Sequence, residues 1–156
     1  MSIRIWKKVN YISLSLIQKI DDRSRFGSKS ELCIYGENTG ITIPADYLET
    51  AILLDDGRYL LFVTEDVPYE ESLELLLIDI KQDIQEQMTI AVPYGSGTLR
   101  EMRLYENHIE FSYFSDETWR VEVSSSRFFR LPFQYGFLVT RHPFRLSYFI
   151  HIKLFR

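Results

Sequence analysis

The sequence predicts an α+β domain, mainly an antiparallel β-sheet meander with one or two helices packed on it. Three features carry that expectation. Between Gly97 and Val123 apolar and polar residues alternate, and two turn-like clusters, Tyr105–His108 and Ser115–Thr118, divide the stretch into three runs. That is the period of half-buried strands joined in sequence. Two apolar runs flank Asp56-Gly57, a strong hairpin signal because such turns require positive φ. Apolar residues near the N-terminus, and the Gln- and Glu-rich stretch Gln82–Gln87, favour helix.

In chain order, Trp6, Val9, Leu16, Ile17 and Ile20 approximate a helical stripe, while Tyr11–Leu16 alternates like a strand. A helix, or a strand followed by a short helix, is expected there. Asp21–Ser30 is polar and reads as a loop. Glu31–Tyr35 and Ile41–Ile43 read as a hairpin around Gly36–Gly40, and Tyr47–Leu54 pairs with Arg58–Thr64. Ser72–Ile80 (SLELLLIDI) fits either a buried strand or a helical face, because its central apolar run has no clear period. A strand to Asp79 followed by a helical turn over Gln82–Gln87 is preferred. Met88–Val92 is a short strand candidate. Within the meander, Ile109, Phe111, Tyr113, Trp119, Val121 and Val123 should share one buried face. Beyond Ser124–Ser126, Leu146, Tyr148, Ile150, Ile152 and Leu154 alternate with Arg145, Ser147, Phe149, His151 and Lys153, as in a terminal strand.

The chain has 156 residues, 46% of them hydrophobic and 26% charged, which fits a single domain over 1–156 with an adequate core. Its single cysteine, Cys33, excludes an internal disulfide and a cysteine metal site, and is expected to be a small buried hydrophobe. No signal-peptide pattern and no apolar run of about 18 residues is present, so a cytoplasmic location without stable membrane association is expected.

The net charge of −4 hides a strong segregation. Residues 1–45 carry +3, 46–86 carry −10, 87–123 carry −3 and 124–156 carry +6. From about residue 124 the chain is basic and aromatic, with no Asp or Glu after Glu122. One account is internal complementarity between oppositely charged segments. The other is that the acidic segment forms a field for a basic partner. Under the second account the contact residues are Asp55, Asp56, Glu65, Asp66, Glu70 and Glu71, at expected turns, with Tyr69 as aromatic anchor.

No pattern for catalysis emerges. His108, His142 and His151 are not spaced as metal ligands, and Gly95-Ser96-Gly97 is neither a nucleophile elbow nor a phosphate loop. Adjacent carboxylates such as Asp55/Asp56 or Glu70/Glu71 point apart on turns and stay solvated. The expected catalytic set, metal set and cofactor set are therefore all none. The tail from Arg127 to Arg156 supports an alternative, a nucleic-acid-binding module in which arginines track phosphates and aromatics stack bases.

Three stretches, Pro68–Glu74 (PYEESLE), Tyr94–Leu99 (YGSGTL) and Ile109–Trp119 (IEFSYFSDETW), resemble in layout the small bacterial immunity proteins encoded beside contact-dependent growth inhibition and related polymorphic toxins. The resemblance covers roughly Leu48 to Val123; the basic aromatic tail is not part of it. It implies a small, non-enzymatic cytoplasmic antitoxin that binds a protein toxin domain and occludes its active site. With the acidic segment, a basic nuclease is the expected partner.

Overall fold

The computed structural model describes residues 5–9, 14–18, 29–65, 72–91, 97–114, 117–135 and 138–155. Among these the chain forms fourteen strands and no helix, so the expected α+β class is corrected to all-β. The strands are β1 (Ile5–Val9), β2 (Leu14–Gln18), β3 (Ser30–Ile34), β4 (Glu37–Ile43), β5 (Tyr47–Leu54), β6 (Tyr59–Thr64) and β7 (Ser72–Asp79). They continue with β8 (Asp83–Ala91), β9 (Arg100–Leu104), β10 (Ile109–Ser112), β11 (Thr118–Phe129), β12 (Phe133–Gln134), β13 (Val139–His142) and β14 (Ser147–Phe155).

All pairings are antiparallel, in three sheets. A central seven-stranded sheet has the order β1-β5-β6-β7-β8-β13-β12. A four-stranded sheet, β14-β11-β10-β9, covers one face, and a three-stranded sheet, β2-β3-β4, covers part of the other. The first interface packs Ile52, Leu60, Phe62, Leu75 and Met88 against Phe111, Trp119, Val121 and Ile150. Phe62 and Phe111 meet edge to face, their centroids 5.4 Å apart. The second interface packs Leu61, Val63, Leu76 and Ile78 against Leu14, Leu32, Ile41 and Ile43.

This three-layer arrangement explains the ambiguous segments. Strands β6 and β7 are covered on both faces, so Leu60–Val63 and Leu73–Ile78 are buried at every position and no period survives in the sequence. Alternate residues still part cleanly, Leu75 and Leu77 to one core and Leu76 and Ile78 to the other. The expected helix near the N-terminus is instead two strands, because each finds an open edge. β1 adds to β5 and β2 adds to β3. The expected turn of helix at Gln82–Gln87 is the start of β8, where pairing with β7 overrides helix propensity.

The meander is present as β9-β10-β11. Its six alternating residues, Ile109, Phe111, Tyr113, Trp119, Val121 and Val123, are all buried in the first core. β11 runs on through Ser124–Ser126 with an irregularity between Val123 and Phe128, and pairs with the terminal strand β14. Cys33 is buried and unpaired.

Two buried charges tie β14 down. Glu86 on β8 accepts hydrogen bonds from the backbone N–H groups of Phe149 (2.7 Å) and Ile150 (2.8 Å). Arg141 on β13, 1% exposed, donates to the Ile150 carbonyl and to Gln134 Oε1 (2.7 Å), and lies 3.7 Å from Glu86. Burial pushes the Glu86 carboxyl above its usual range, against the pull of the two N–H groups and Arg141. The Arg141 guanidinium is drawn down to about 10, chiefly by burial, and stays charged at neutral pH.

Candidate functional site

Of the residues expected to contact a partner, the three that are described do not share one end of the sheet. Asp55 and Asp56 are exposed in the β5–β6 turn. Glu65 follows β6 at its opposite end, six strand residues away, which is about 20 Å. It is half-buried, and its carboxyl is pushed up by burial first and then by Glu74 and Asp46. Asp66, Tyr69, Glu70 and Glu71 lie outside the described residues.

The β5–β6 turn is built tightly. Gly57 has φ +88°, a conformation that a side chain would strain. The Leu54 N–H donates to the Arg58 carbonyl (2.8 Å) and the Gly57 N–H to the Leu54 carbonyl (3.0 Å). Asp56 accepts from the Arg58 N–H (3.1 Å) and from its Nε (2.7 Å). The Arg58 guanidinium then reaches Gln85 Oε1 (3.2 Å) and the Ser124 carbonyl (3.0 Å), and packs over the Phe149 ring. One nearly buried arginine thus joins the β5–β6 hairpin to β8 and to β11. Asp56 is consumed in holding it, and Asp55 projects freely into solvent.

Antiparallel register adds residues that sequence reasoning missed. Tyr59 pairs with Ile78, and Ile78 with Ile84, so the β7–β8 turn emerges at the same end of the sheet as Asp55 and Asp56. The two turns are separated by two strand spacings, about 10 Å. That second turn carries Asp79 and Asp83. Asp79 accepts from the Lys81 N–H (2.9 Å), and Asp83, at φ +74°, accepts from the Ile84 N–H (2.6 Å). Tyr35 of the β3–β4 turn is 73% exposed. The Tyr59 phenol's pKa is raised by burial first and then by the charge of the nearby Tyr35. The end of the central sheet thus presents Asp55, Asp56, Asp79 and Asp83 on two braced turns, with an exposed aromatic ring alongside. Asp79 and Asp83 bracket a tight turn, a signal hidden by the helix-favouring composition of the residues that follow.

The four-stranded sheet carries a different feature. Across its outer face Arg103 pairs in register with Glu110, Glu110 with Arg120, and Arg120 with Lys153. Glu110 accepts from Arg120 Nη2 (2.8 Å) and Nε (3.2 Å), and this hydrogen bonding holds its carboxyl below the usual range. Beside this row is an open hollow of about 480 Å³, lined by Arg120, Glu122, Arg130, Tyr135, His151 and Lys153. His151 stacks on Phe128, and burial lowers its pKa despite the nearby Glu122.

Among the described residues no group of three or more His, Cys, Asp or Glu is arranged to hold a metal ion. No helix there is long and apolar enough to cross a membrane. Compared with known proteins, the chain matches no family model, no curated protein and no solved structure.

Proposed function

We propose that the chain is a non-enzymatic immunity protein that binds a basic toxin domain and occludes its active site. The observation that supports this best is the pair of adjacent hairpin turns bearing Asp55, Asp56, Asp79 and Asp83 at one end of the central sheet, with Tyr35 beside them. Carboxylates so placed act as stand-ins for substrate phosphates against a cationic cleft, and their shared field accelerates encounter. The backbone bonds within the turns and the Arg58 brace hold the carboxylates in position before binding, which lowers the ordering cost of association. Tyr35 supplies the kind of exposed aromatic that becomes a desolvated anchor in an interface.

The test is to express the products of the adjoining reading frames and measure neutralisation of any that is toxic, with association measured by surface plasmon resonance. Asp55, Asp79 and Asp83 are changed together to asparagine, which keeps the turn acceptors and removes three charges. Asp56 is left in place because it holds Arg58. The association rate should fall at least about tenfold at low salt, and its salt dependence should flatten. Unchanged kinetics would remove this end of the sheet from the interface, and failure of the native chain to inhibit the toxin would end the immunity reading.

A further inference from the structure

We infer that the hollow on the outer face of the four-stranded sheet binds the phosphate of a nucleotide, with the Tyr135 ring that lines it receiving the base. The site lies on β11, β14 and the segment after β11 and shares no residue with the acidic turns, so it stands or falls independently of the proposed partner.

Three cations converge on it. Arg120 spends Nε and Nη2 on Glu110. Among the described residues Arg130 and Lys153 enter no ion pair, and Arg130 Nε is buried with no hydrogen-bond partner. Among the described residues Glu122 is the one carboxylate lining the hollow; it faces His151 across the β11–β14 pair. Arg120, Arg130 and Lys153 therefore leave a net positive charge in the hollow. His151 adds a hydrogen-bonding imidazole whose pKa is lowered by burial and by Arg130 and Arg141.

The surroundings narrow the anion to a nucleotide. The volume of about 480 Å³ falls within the range of small-ligand sites. Tyr135 lines the hollow at 38% exposure; its ring stands edge-on to Trp119, and its hydroxyl accepts from the Leu154 N–H at 3.1 Å, which fixes its position. Cations beside the partly exposed Tyr135 ring form the combination that tracks a phosphate backbone while stacking a base.

The experiment is fluorescence anisotropy of labelled dT12 with the full chain, from 20 to 200 mM NaCl, with AMP and inorganic phosphate as competitors. Binding should be saturable in the range of about 10⁻⁴–10⁻⁶ M at low salt, with a log–log salt slope of about −2 for three phosphate contacts. Arg130→Gln with Lys153→Gln should weaken it at least tenfold and reduce the slope to about −0.7. Lys153 is exposed, so Lys153→Gln alone preserves the fold and should reduce the slope by about 0.7 if the double variant does not fold. Competition by AMP in the same concentration range as dT12 would assign the site to free nucleotides, and weak competition would assign it to a strand. No binding of either, or variants that bind like the native chain, would overturn the inference. The Asp55, Asp79 and Asp83 variant should bind dT12 no more weakly than the native chain.

Discussion

Replacing Glu86 by alanine removes the acceptor for two backbone N–H groups and the counter-charge of Arg141 in one step. The Phe149 and Ile150 N–H groups would lose their carboxylate partner at a site where Glu86 is only 2% exposed. A buried donor left without an acceptor costs about 1–3 kcal/mol, and breaking a buried ion pair from one side costs about 3–5 kcal/mol. These costs overlap, so the expected loss is about 4 kcal/mol. For a chain of this length each kcal/mol moves the melting temperature by about 2–4 °C, giving a drop of about 8–16 °C. Urea unfolding and calorimetry of Glu86→Ala, Arg141→Met and the double variant would form a thermodynamic cycle. The double variant should cost less than the two single losses added together, because the second change removes a charge already stranded by the first. The pH dependence has a definite sign. The folded-state pKa of Glu86 is raised, so its stability contribution is complete below the ordinary glutamate pKa of about 4.3 and is lost as pH rises through the folded value. The advantage of the native chain over Glu86→Gln should therefore grow in acid. A loss below about 1 kcal/mol for Glu86→Ala, or strict additivity in the cycle, would show that the pair does not hold β14.

Double-sided burial predicts that Leu75→Ala and Leu76→Ala each cost about 2–5 kcal/mol in urea unfolding, although the side chains point to opposite faces. A cost under about 1 kcal/mol at Leu76 would mean that the three-stranded sheet does not cover it. His151 gives the opposite pH behaviour to Glu86. Its pKa is depressed by burial, so its contribution is complete above the ordinary histidine value of about 6.5 and is lost as pH falls through the folded value. The urea midpoint of the native chain should drop relative to His151→Gln as pH falls below about 6.5, and parallel midpoints would refute the assignment.

Which parts of the fold were legible follows from how many faces each strand buries. Strands β10 and β11 have one polar face, so Ile109–Val123 showed a clean alternation and the structure buries the expected six residues. The Asp56-Gly57 turn was legible because its geometry demands glycine. Strand β7 has no polar face, and only Glu74 breaks the run; its carboxylate is satisfied there by Gln87 (2.9 Å) and Thr89 (2.7 Å). A segment buried on both sides looks the same in composition whether it is helix or strand. The N-terminal residues failed for another reason: β1 and β2 exist because edges formed by distant residues accept them, and the register Ile5–Leu54 leaves no local trace. The candidate site was legible in half. Acidic turns can be recognised singly, but which turns share an end of the sheet depends on strand pairing. That dependence joined Asp79 and Asp83 to Asp55 and separated Glu65 from all three.

Charge segregation along the chain can now be divided between its two accounts. Internal complementarity holds at one place in full, since Glu86 of the acidic segment meets Arg141 of the basic tail in the buried layer between sheets. Glu74 is likewise engaged inside the fold, with Thr89, and Asp56 is engaged at the β5–β6 turn with Arg58. What the interior does not absorb lies in two places. Asp55 and Asp83 remain exposed at one end of the central sheet, while Arg130 and Lys153 surround a hollow on the outer sheet. An exposed ion pair adds only about 0–1 kcal/mol, so stability alone gives little reason to gather like charges into separate groups. Like charges gathered on a rigid scaffold repel one another, and that cost is offset when an oppositely charged ligand arrives. The pattern is expected of two binding surfaces of opposite sign: an acidic one matched to a basic protein and a basic one matched to phosphate.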